Sequence, residues 1–335
     1  MERLRVAVLG MGTMGCMHAM VYDHLPEAEV VGMVETDPAP RQEAVQRFGA
    51  PCYDSVEALL AEVDVDAASV CVPDALHVEP AVALAKAGVH LLVEKPLATT
   101  VAGCDEIIGA VEGAGVKLMV GFTVRFDPRY YLVHQAVEGG ELGEMVCMYA
   151  RRNNVLASAR RLGGRVSLPF FLQVHDIDIM RWMSGAEVEE VYACGVRKVL
   201  TDLGVDDAVF TTLRFSDGSI GCIESNWVMP DSLPSRFDFR LELVGTEGKA
   251  DIELCEQGAS VHSGERLSVL DPTYRPTLYD DQPLILREEI RHFVHCVLQK
   301  REPTVGGKEG KAATVVAVAI EQSLREGLPV AVGGR

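Results

Sequence analysis

The stretch Leu4-Arg5-Val6-Ala7-Val8-Leu9-Gly10-Met11-Gly12-Thr13-Met14-Gly15 determines how this chain begins to fold. Its first six residues are apolar except for Arg5, which is typical of a strand buried in a parallel sheet. Gly10 permits a tight turn, Gly12 lets a phosphate approach the backbone, and Gly15 lets the following helix pack on the strand. This strand, glycine turn and helix predict a dinucleotide site, formed by Gly10, Gly12, Thr13, Met14 and Gly15.

Glu35 ends the second apolar run, about twenty residues after the glycine turn, where such folds carry an acid. A carboxylate at this position accepts hydrogen bonds from the ribose hydroxyls and repels a 2′-phosphate. The alternative interpretation is a solvent-exposed acid beside Asp37. We predict that Glu35 binds the cofactor and that the cofactor is NAD rather than NADP.

The arrangement of apolar runs changes near residue 121. Before it, short apolar runs alternate with helical patterns, which predicts an α/β domain with a doubly wound parallel sheet. After it, β-rich runs pair around turns such as Ser216-Asp217-Gly218, which predicts an α+β domain with an open, mostly antiparallel sheet. We predict one domain at 1–121 and a second at 122–335, whose C-terminal helices pack back on the first.

Composition excludes several classes of protein. The net charge of −18 argues against a nucleic-acid partner, because phosphate binding requires clustered Lys and Arg. No apolar run is long enough to span a membrane, and the N-terminus has no secretory pattern. The nine cysteines are dispersed without a C-x-x-C pair, which favours reduced thiols and no metal site. These features predict a cytoplasmic protein.

Two further positions could carry chemistry. Lys95, in Glu94-Lys95-Pro96, follows the apolar run at 89–93, and residues beyond the carboxyl end of a parallel strand face the ligand crevice. The alternative is an ordinary charged turn. His175 precedes the helical pattern Asp176–Met183, and a histidine can accept a proton near neutral pH. A structural role is the alternative for His175.

The chain resembles the glucose–fructose oxidoreductase / inositol dehydrogenase / MocA family. Besides the glycine turn, the resemblance rests on four motifs, which follow in order along nearly the whole sequence. They are Cys71-Val72-Pro73-Asp74-Ala75-Leu76-His77, Glu94-Lys95-Pro96-Leu97-Ala98, Gly121-Phe122-Thr123-Val124-Arg125-Phe126 and His175-Asp176-Ile177-Asp178.

The resemblance implies a Rossmann domain, an open-sheet domain, and homodimers or homotetramers formed through that sheet. It implies hydride exchange between a nicotinamide and a sugar or polyol. The implied catalytic residues are Lys95, which contacts the reacting hydroxyl, and His175, which accepts its proton. The implied cofactor contacts also include Pro73, His77, Glu94 and Lys95 itself. Glu94 is expected to orient Lys95 or the nicotinamide ribose. Arg125 is an implied substrate contact.

Phe171 departs from the family pattern, which has an aspartate four residues before the histidine. A carboxylate would orient the imidazole and contact a substrate hydroxyl, and phenylalanine does neither. Gln173 is a nearby polar substitute, so we include it among the predicted substrate contacts. The change leaves open an altered substrate, slower chemistry or lost catalysis, the last of which would make the chain a non-catalytic NAD-binding regulator.

The segment 145–175 contains five arginines and no acidic residue. Arginine suits phosphate because its planar group donates paired hydrogen bonds. We predict Arg152, Arg161 and Arg165 as contacts to an anionic substrate, such as the nucleotide sugar UDP-N-acetylglucosamine. Residues His175–Ala193 look most like archaeal-type UDP-N-acetylglucosamine 3-dehydrogenases within the family. The alternatives are a surface loop paired with acidic residues, and a substrate that is an uncharged sugar or inositol.

Overall fold

The computed structural model divides the chain into two units. The first comprises Met1–Phe126 and Thr273–Lys311, and the second comprises Asp127–Pro272 and Ala312–Arg335. This division differs from the predicted boundary at residue 121, because 122–126 and a later segment belong to the first unit. The residues that the structure describes are 3–254, 260–263, 266–269 and 284–333.

The first unit contains a parallel sheet, as predicted, and this sheet has six strands. Its strands are β1 (Leu4–Leu9), β2 (Ala28–Val34), β3 (Cys52–Tyr53), β4 (Ala67–Val70), β5 (His90–Glu94) and β6 (Leu118–Gly121). The strand order is β3-β2-β1-β4-β5-β6. The order therefore reverses beside β1, and in such sheets the crevice at the carboxyl ends of the strands near that reversal binds the ligand.

Five helices connect these strands: α1 (Thr13–His24), α2 (Pro38–Phe48), α3 (Val56–Glu62), α4 (Val78–Lys86) and α5 (Val101–Ala114). The sequence specifies their ends locally. The Asp37 carboxylate accepts a hydrogen bond from Ala39 N at 3.1 Å and caps α2. Thr100 caps α5 in the same way, and α5 ends at Gly115 in the left-handed region. The two-residue strand β3 and the seven-residue helix α3 were not predicted, because such short elements carry little periodicity.

The second unit contains a seven-stranded sheet. Its strands are β7 (Met145–Val155), β8 (Val188–Val196), β9 (Ala208–Phe215), β10 (Ile220–Met229), β11 (Phe237–Gly245), β12 (Lys249–Glu253) and β15 (Val330–Ala331). Strands β13 (Ser260–Ser263) and β14 (Arg266–Val269) form a separate two-stranded sheet. The order is β12-β11-β7-β10-β9-β8-β15. All neighbours are antiparallel except β7 and β10, which confirms the predicted mostly antiparallel sheet.

The other α-helices within the described residues are α6 (Pro128–Glu138), α7 (Leu156–Leu162), α8 (Val174–Ser184), α9 (Leu284–Leu298) and α10 (Gly307–Glu326). A π-helical turn at Pro169–Gln173 leads into α8. Helix α9 belongs to the first unit, where Ile290 and Phe293 are buried in the same core as Val6 and Val8. The first residues of α10, through Lys311, also count with the first unit.

One face of the second sheet is buried and the other is open. Along β9, Val209, Thr211 and Leu213 are buried, whereas the alternate residues Phe210 and Thr212 are exposed. This alternation follows from the two-residue period of a strand. We call the exposed side of this sheet the open face. It carries the neighbouring residues Tyr149, Arg151, Tyr192, Phe210, Thr212, Ile220, Cys222 and Glu224.

Two findings concern the predicted environment of the protein. No helix within the described residues is long and apolar enough to cross a membrane. Cysteines Cys16, Cys52, Cys71, Cys104, Cys147, Cys194, Cys222 and Cys296 are free thiols. The ninth, Cys255, lies outside the described residues.

Candidate active site

The glycine turn has a geometry that only glycine satisfies at two positions. Gly10 has φ +81°, and a Cβ there would lie 2.9 Å from the backbone of Cys71 and Val72. A Cβ on Gly15 would lie 1.9 Å from the carbonyl oxygen of Gly10. A Cβ on Gly12 would meet no atom within 4 Å, so the space over this exposed residue is open to a phosphate.

Helix α1 starts directly after this turn. Its first residue Thr13 is exposed, whereas Met14 is partly buried against the core. No side chain caps the helix at Gly12. The N–H groups of the first turn are therefore available to an anionic group, as in dinucleotide-binding turns.

Glu35 lies beside the glycine turn. One carboxylate oxygen accepts a hydrogen bond from the backbone N of Met11 at 2.9 Å, and the other accepts one from the backbone N of Asp37 at 3.0 Å. These two bonds fix a partly exposed carboxylate at the carboxyl end of β2. An ionised carboxylate can accept further hydrogen bonds, so Glu35 can still bind ribose hydroxyls.

Lys95 directly follows β5, at the carboxyl edge of the first sheet. Its side chain is partly exposed, and the Lys95–Pro96 peptide bond is cis. The backbone N of Lys95 donates a hydrogen bond to Oε2 of Glu94 at 3.2 Å. Glu94 is only 7% exposed, which fits the predicted role of orienting Lys95 better than direct contact with the ribose.

The Glu94 carboxylate has a buried partner that the sequence did not predict. Nε2 of His18, on α1, lies 3.1 Å from Oε1 of Glu94. Nδ1 of His18 lies 3.0 Å from Oγ of Ser69, which in turn lies 2.8 Å from the Tyr22 hydroxyl. Burial alone would raise the pKa of Glu94. The His18 hydrogen bond and the positive charges of His18, Lys95 and His77 outweigh it, and the pKa lies below its ordinary value.

The environment of His77 argues against its predicted contact with the cofactor. The ring is 1% exposed. Nδ1 lies 2.8 Å from the carbonyl oxygen of Pro96, and Nε2 lies 3.0 Å from that of Val72. Both nitrogens are therefore occupied by the protein. Pro73, by contrast, is exposed and accepts a hydrogen bond from Leu76 N at 2.7 Å, so its predicted cofactor contact stays a prediction.

A second buried acid lies close to Glu94 in the first unit. Glu289, on α9, is fully buried, and Oγ1 of Thr123 donates a hydrogen bond to its Oε2 at 2.8 Å. Burial and the negative charge of Glu94 raise the pKa of Glu289 well above its ordinary value. No sequence signal marked this residue, because it is one of several acids in a C-terminal helical pattern. Arg125, two residues beyond Thr123, is partly exposed, as a substrate contact requires.

In the second unit, His175 occupies the first turn of α8 and is partly exposed. The Phe171 ring lies on the preceding π-helical turn, with its centroid 6.1 Å from that of the buried Trp227. The environment of Gln173 argues against its predicted contact with the substrate. It is fully buried, its amide nitrogen donates to Val209 O at 3.2 Å, and its amide oxygen accepts from Thr211 Oγ1 at 2.9 Å.

The arginines of segment 145–175 have separate environments rather than a common one. Arg152 is 3% exposed and forms an ion pair with Asp176, at 2.8 Å from Nη2 to Oδ1. This buried pair corrects the predicted contact of Arg152 with an anionic substrate. Arg161 and Arg165 are exposed, and neither has an ion pair within the described part of the chain. Other arginines of the segment pair with acids: Arg151 with Asp238 and Arg160 with Asp202.

The strand order, the glycine turn and the position of Glu35 define a Rossmann-type dinucleotide-binding protein. Comparison with family models agrees. Residues 4–122 match a model described as an oxidoreductase family with an NAD-binding Rossmann fold, and residues 130–251 match the GFO/IDH/MocA C-terminal domain. The chain belongs to the GFO/IDH/MocA family and is an NAD-dependent oxidoreductase.

Three similar proteins cover the chain almost completely. A myo-inositol 2-dehydrogenase of Thermotoga maritima is 30% identical, over 96% of this chain and 97% of its own. A scyllo-inositol 2-dehydrogenase (NAD(+)) of Bacillus subtilis is 26% identical, over 98% and 96%. The crystal structure of a probable dehydrogenase from Thermotoga maritima superposes with a TM-score of 0.84 at 27% identity, over 98% and 99%.

Proposed function

We propose that this protein is an NAD-dependent dehydrogenase that oxidises a secondary alcohol of inositol or of a similar cyclic polyol. The observation that carries the proposal is similarity to inositol 2-dehydrogenases along the whole chain, through both units. This similarity favours an uncharged substrate over the nucleotide sugar that the arginines of segment 145–175 predicted.

Two residues are proposed to carry the reaction. The Lys95 ammonium stabilises the negative charge that develops on the reacting oxygen. His175 accepts the hydroxyl proton, a role for which its partly exposed imidazole is suited. The open space over Gly12 and the fixed carboxylate of Glu35 fit the diphosphate and ribose of NAD. When bound, NAD supplies the ring that accepts the hydride.

Lys95→Ala tests the catalytic assignment. The purified protein is assayed for NADH formation with myo-inositol, scyllo-inositol and UDP-N-acetylglucosamine, and NAD affinity is measured by calorimetry. We expect turnover of an inositol in the native enzyme and a loss of roughly 100-fold or more in Lys95→Ala, with NAD affinity retained. Lys86→Ala, at an exposed position on α4, is the control. An unchanged rate in Lys95→Ala would exclude Lys95 from catalysis.

A nucleotide sugar is the second candidate substrate, supported by the exposed guanidinium groups of Arg161 and Arg165. A clamp formed by these arginines requires their positive charge. Arg161→Glu and Arg165→Glu would therefore abolish turnover of the nucleotide sugar and leave inositol turnover unchanged. Turnover of inositol alone by the native enzyme rejects this candidate.

We also propose that the enzyme assembles with a second copy of itself through the open face. Phe210 and Ile220 are 51% and 56% exposed on this face, and a groove of about 440 Å³ crosses it. Exposed aromatic and aliphatic side chains clustered on one surface favour association. Light scattering should detect a dimer or tetramer that Phe210→Glu dissociates, whereas Val45→Glu, at an exposed position on α2, has no effect. A native monomer would contradict the proposal.

A cytoplasmic location is part of this proposal. The eight described cysteines are free, as expected in a reducing compartment. Fractionation of the source cells with an antibody to the protein tests the location, and recovery from a secreted fraction would reject it.

A further inference from the structure

The backbone before Lys95 is anchored by a buried histidine. His18 is fully buried on α1, and its Nε2 lies 3.1 Å from the Glu94 carboxylate that accepts the hydrogen bond from Lys95 N. The other ring nitrogen lies 3.0 Å from Ser69 Oγ, so the ring is held on both sides. A buried carboxylate with such partners has one preferred orientation.

The backbone after Lys95 is anchored by a second buried histidine. His77 lies 2.8 Å from the carbonyl oxygen of Pro96 and 3.0 Å from that of Val72, in the loop after β4. A ring nitrogen that carries hydrogen can donate to the carbonyl oxygen that it faces. His77 thus joins two loops at the carboxyl edge of the sheet, and one of them contains Lys95.

We propose that His18 and His77 are positioning residues, which together fix the backbone on both sides of Lys95 and so determine where its ammonium lies. We call the pair the histidine clamp. A lysine side chain has four rotatable bonds, so its charge is placed well only if its Cα is fixed. A displacement of about 1 Å at a reacting group can lower a rate roughly 100-fold. The catalytic part of this inference rests on the proposed role of Lys95, but the structural part does not.

The clamp is tested by observing Lys95 directly. Lysines are labelled by ¹³C reductive methylation, and the Lys95 resonance is assigned by its absence in Lys95→Arg. We expect His18→Gln and His77→Gln to shift or broaden this resonance without substrate. His24→Gln, at an exposed position on α1, leaves it unchanged. Ser69→Ala keeps the His18 imidazole but removes a hydrogen-bond partner that His18 shares with Tyr22. It should shift the resonance less, and it replaces His18→Gln in this test if His18→Gln does not fold.

Kinetics provide the second readout. In the clamp variants we expect kcat to fall 10- to 100-fold while the Kd for NAD changes less than threefold. In a Lys95→Met background the same histidine substitutions should cause no further loss. Folded clamp variants with an unchanged Lys95 resonance would overturn the proposal. If the native enzyme turns over no tested polyol while the resonance still responds, the proposed substrate fails and the clamp stands.

Discussion

Arg152 and Asp176 form a buried ion pair in the second unit, in which Nε and Nη2 of the guanidinium lie 2.9 and 2.8 Å from the two carboxylate oxygens. Both side chains are 3% exposed. Arg152→Met leaves a buried carboxylate without its partner, which costs about 3–5 kcal/mol of unfolding free energy. Urea denaturation measures the loss. Arg161→Met, at an exposed position, should change stability by less than about 0.5 kcal/mol. Equal effects of the two substitutions would contradict the structural role of Arg152.

Glu35 should determine cofactor preference. Its carboxylate is fixed beside the glycine turn by the backbone N–H groups of Met11 and Asp37. Glu35→Ala removes a charged acceptor, whose hydrogen bonds contribute about 1.5–3 kcal/mol each, so NAD affinity should fall roughly 10-fold or more. The same change removes the repulsion between the carboxylate and a 2′-phosphate. It should therefore narrow the difference in affinity between NAD and NADP. Calorimetric titration with both nucleotides measures this, with the exposed Glu57→Ala as control. An unchanged ratio of NAD to NADP affinity would show that Glu35 does not determine cofactor preference.

Gly15 should not tolerate a side chain. A Cβ at this position would lie 1.9 Å from the carbonyl oxygen of Gly10, so the turn must deform in Gly15→Ala. We expect a weakening of NAD binding by at least 10-fold and a lower melting temperature. Gly109→Ala, in α5, meets no atom within 4 Å and should be neutral or stabilising by roughly 0.5–1 kcal/mol. NAD binding of native strength in Gly15→Ala would show that the turn adapts.

Glu289 should make the protein less stable as the pH rises. Burial and the charge of Glu94 raise the pKa of Glu289 in the folded state well above its ordinary value of 4.5. In the window above 4.5 the unfolded chain releases this proton while the folded protein retains it, so stability falls with increasing pH. Glu289→Gln removes this contribution and should flatten the decline between about pH 5 and 7, as measured by urea denaturation at several pH values.

The neighbouring Glu288 offers a matched control for this experiment, because it is partly exposed on the same helix and pairs with Arg291. Glu288→Gln should leave the slope unchanged. A slope that persists in Glu289→Gln would assign the pH dependence to other groups.

Local pattern was enough to predict most of the fold. The run Leu4–Leu9 forms strand β1, and the predicted turn at Ser216-Asp217-Gly218 joins β9 to β10, because the periodicity and the turn residues lie within these segments themselves. The parallel pairing of β7 with β10 was not predictable in this way. It joins strands that are distant in sequence, and no local pattern specifies such a neighbour.

The candidate site was predicted less completely. Sequence motifs predicted the glycine turn, Glu35 and Lys95 as parts of the site, because residue type and spacing indicate which backbone positions border a ligand crevice. They did not show in which direction a polar side chain points. Gln173 faces Thr211, Arg152 faces Asp176, and His77 faces two carbonyl groups.

The sequence alone therefore determined the class of fold, the family and the cofactor, since these depend on periodicity and on motifs a few residues long. Only the tertiary structure decided which polar residues support the site from within. His18, Glu94 and Glu289 come from α1, β5 and α9, and they become neighbours only when the sheet and its helices pack. A buried polar group needs partners, and the fold alone determines which residues are close enough to provide them.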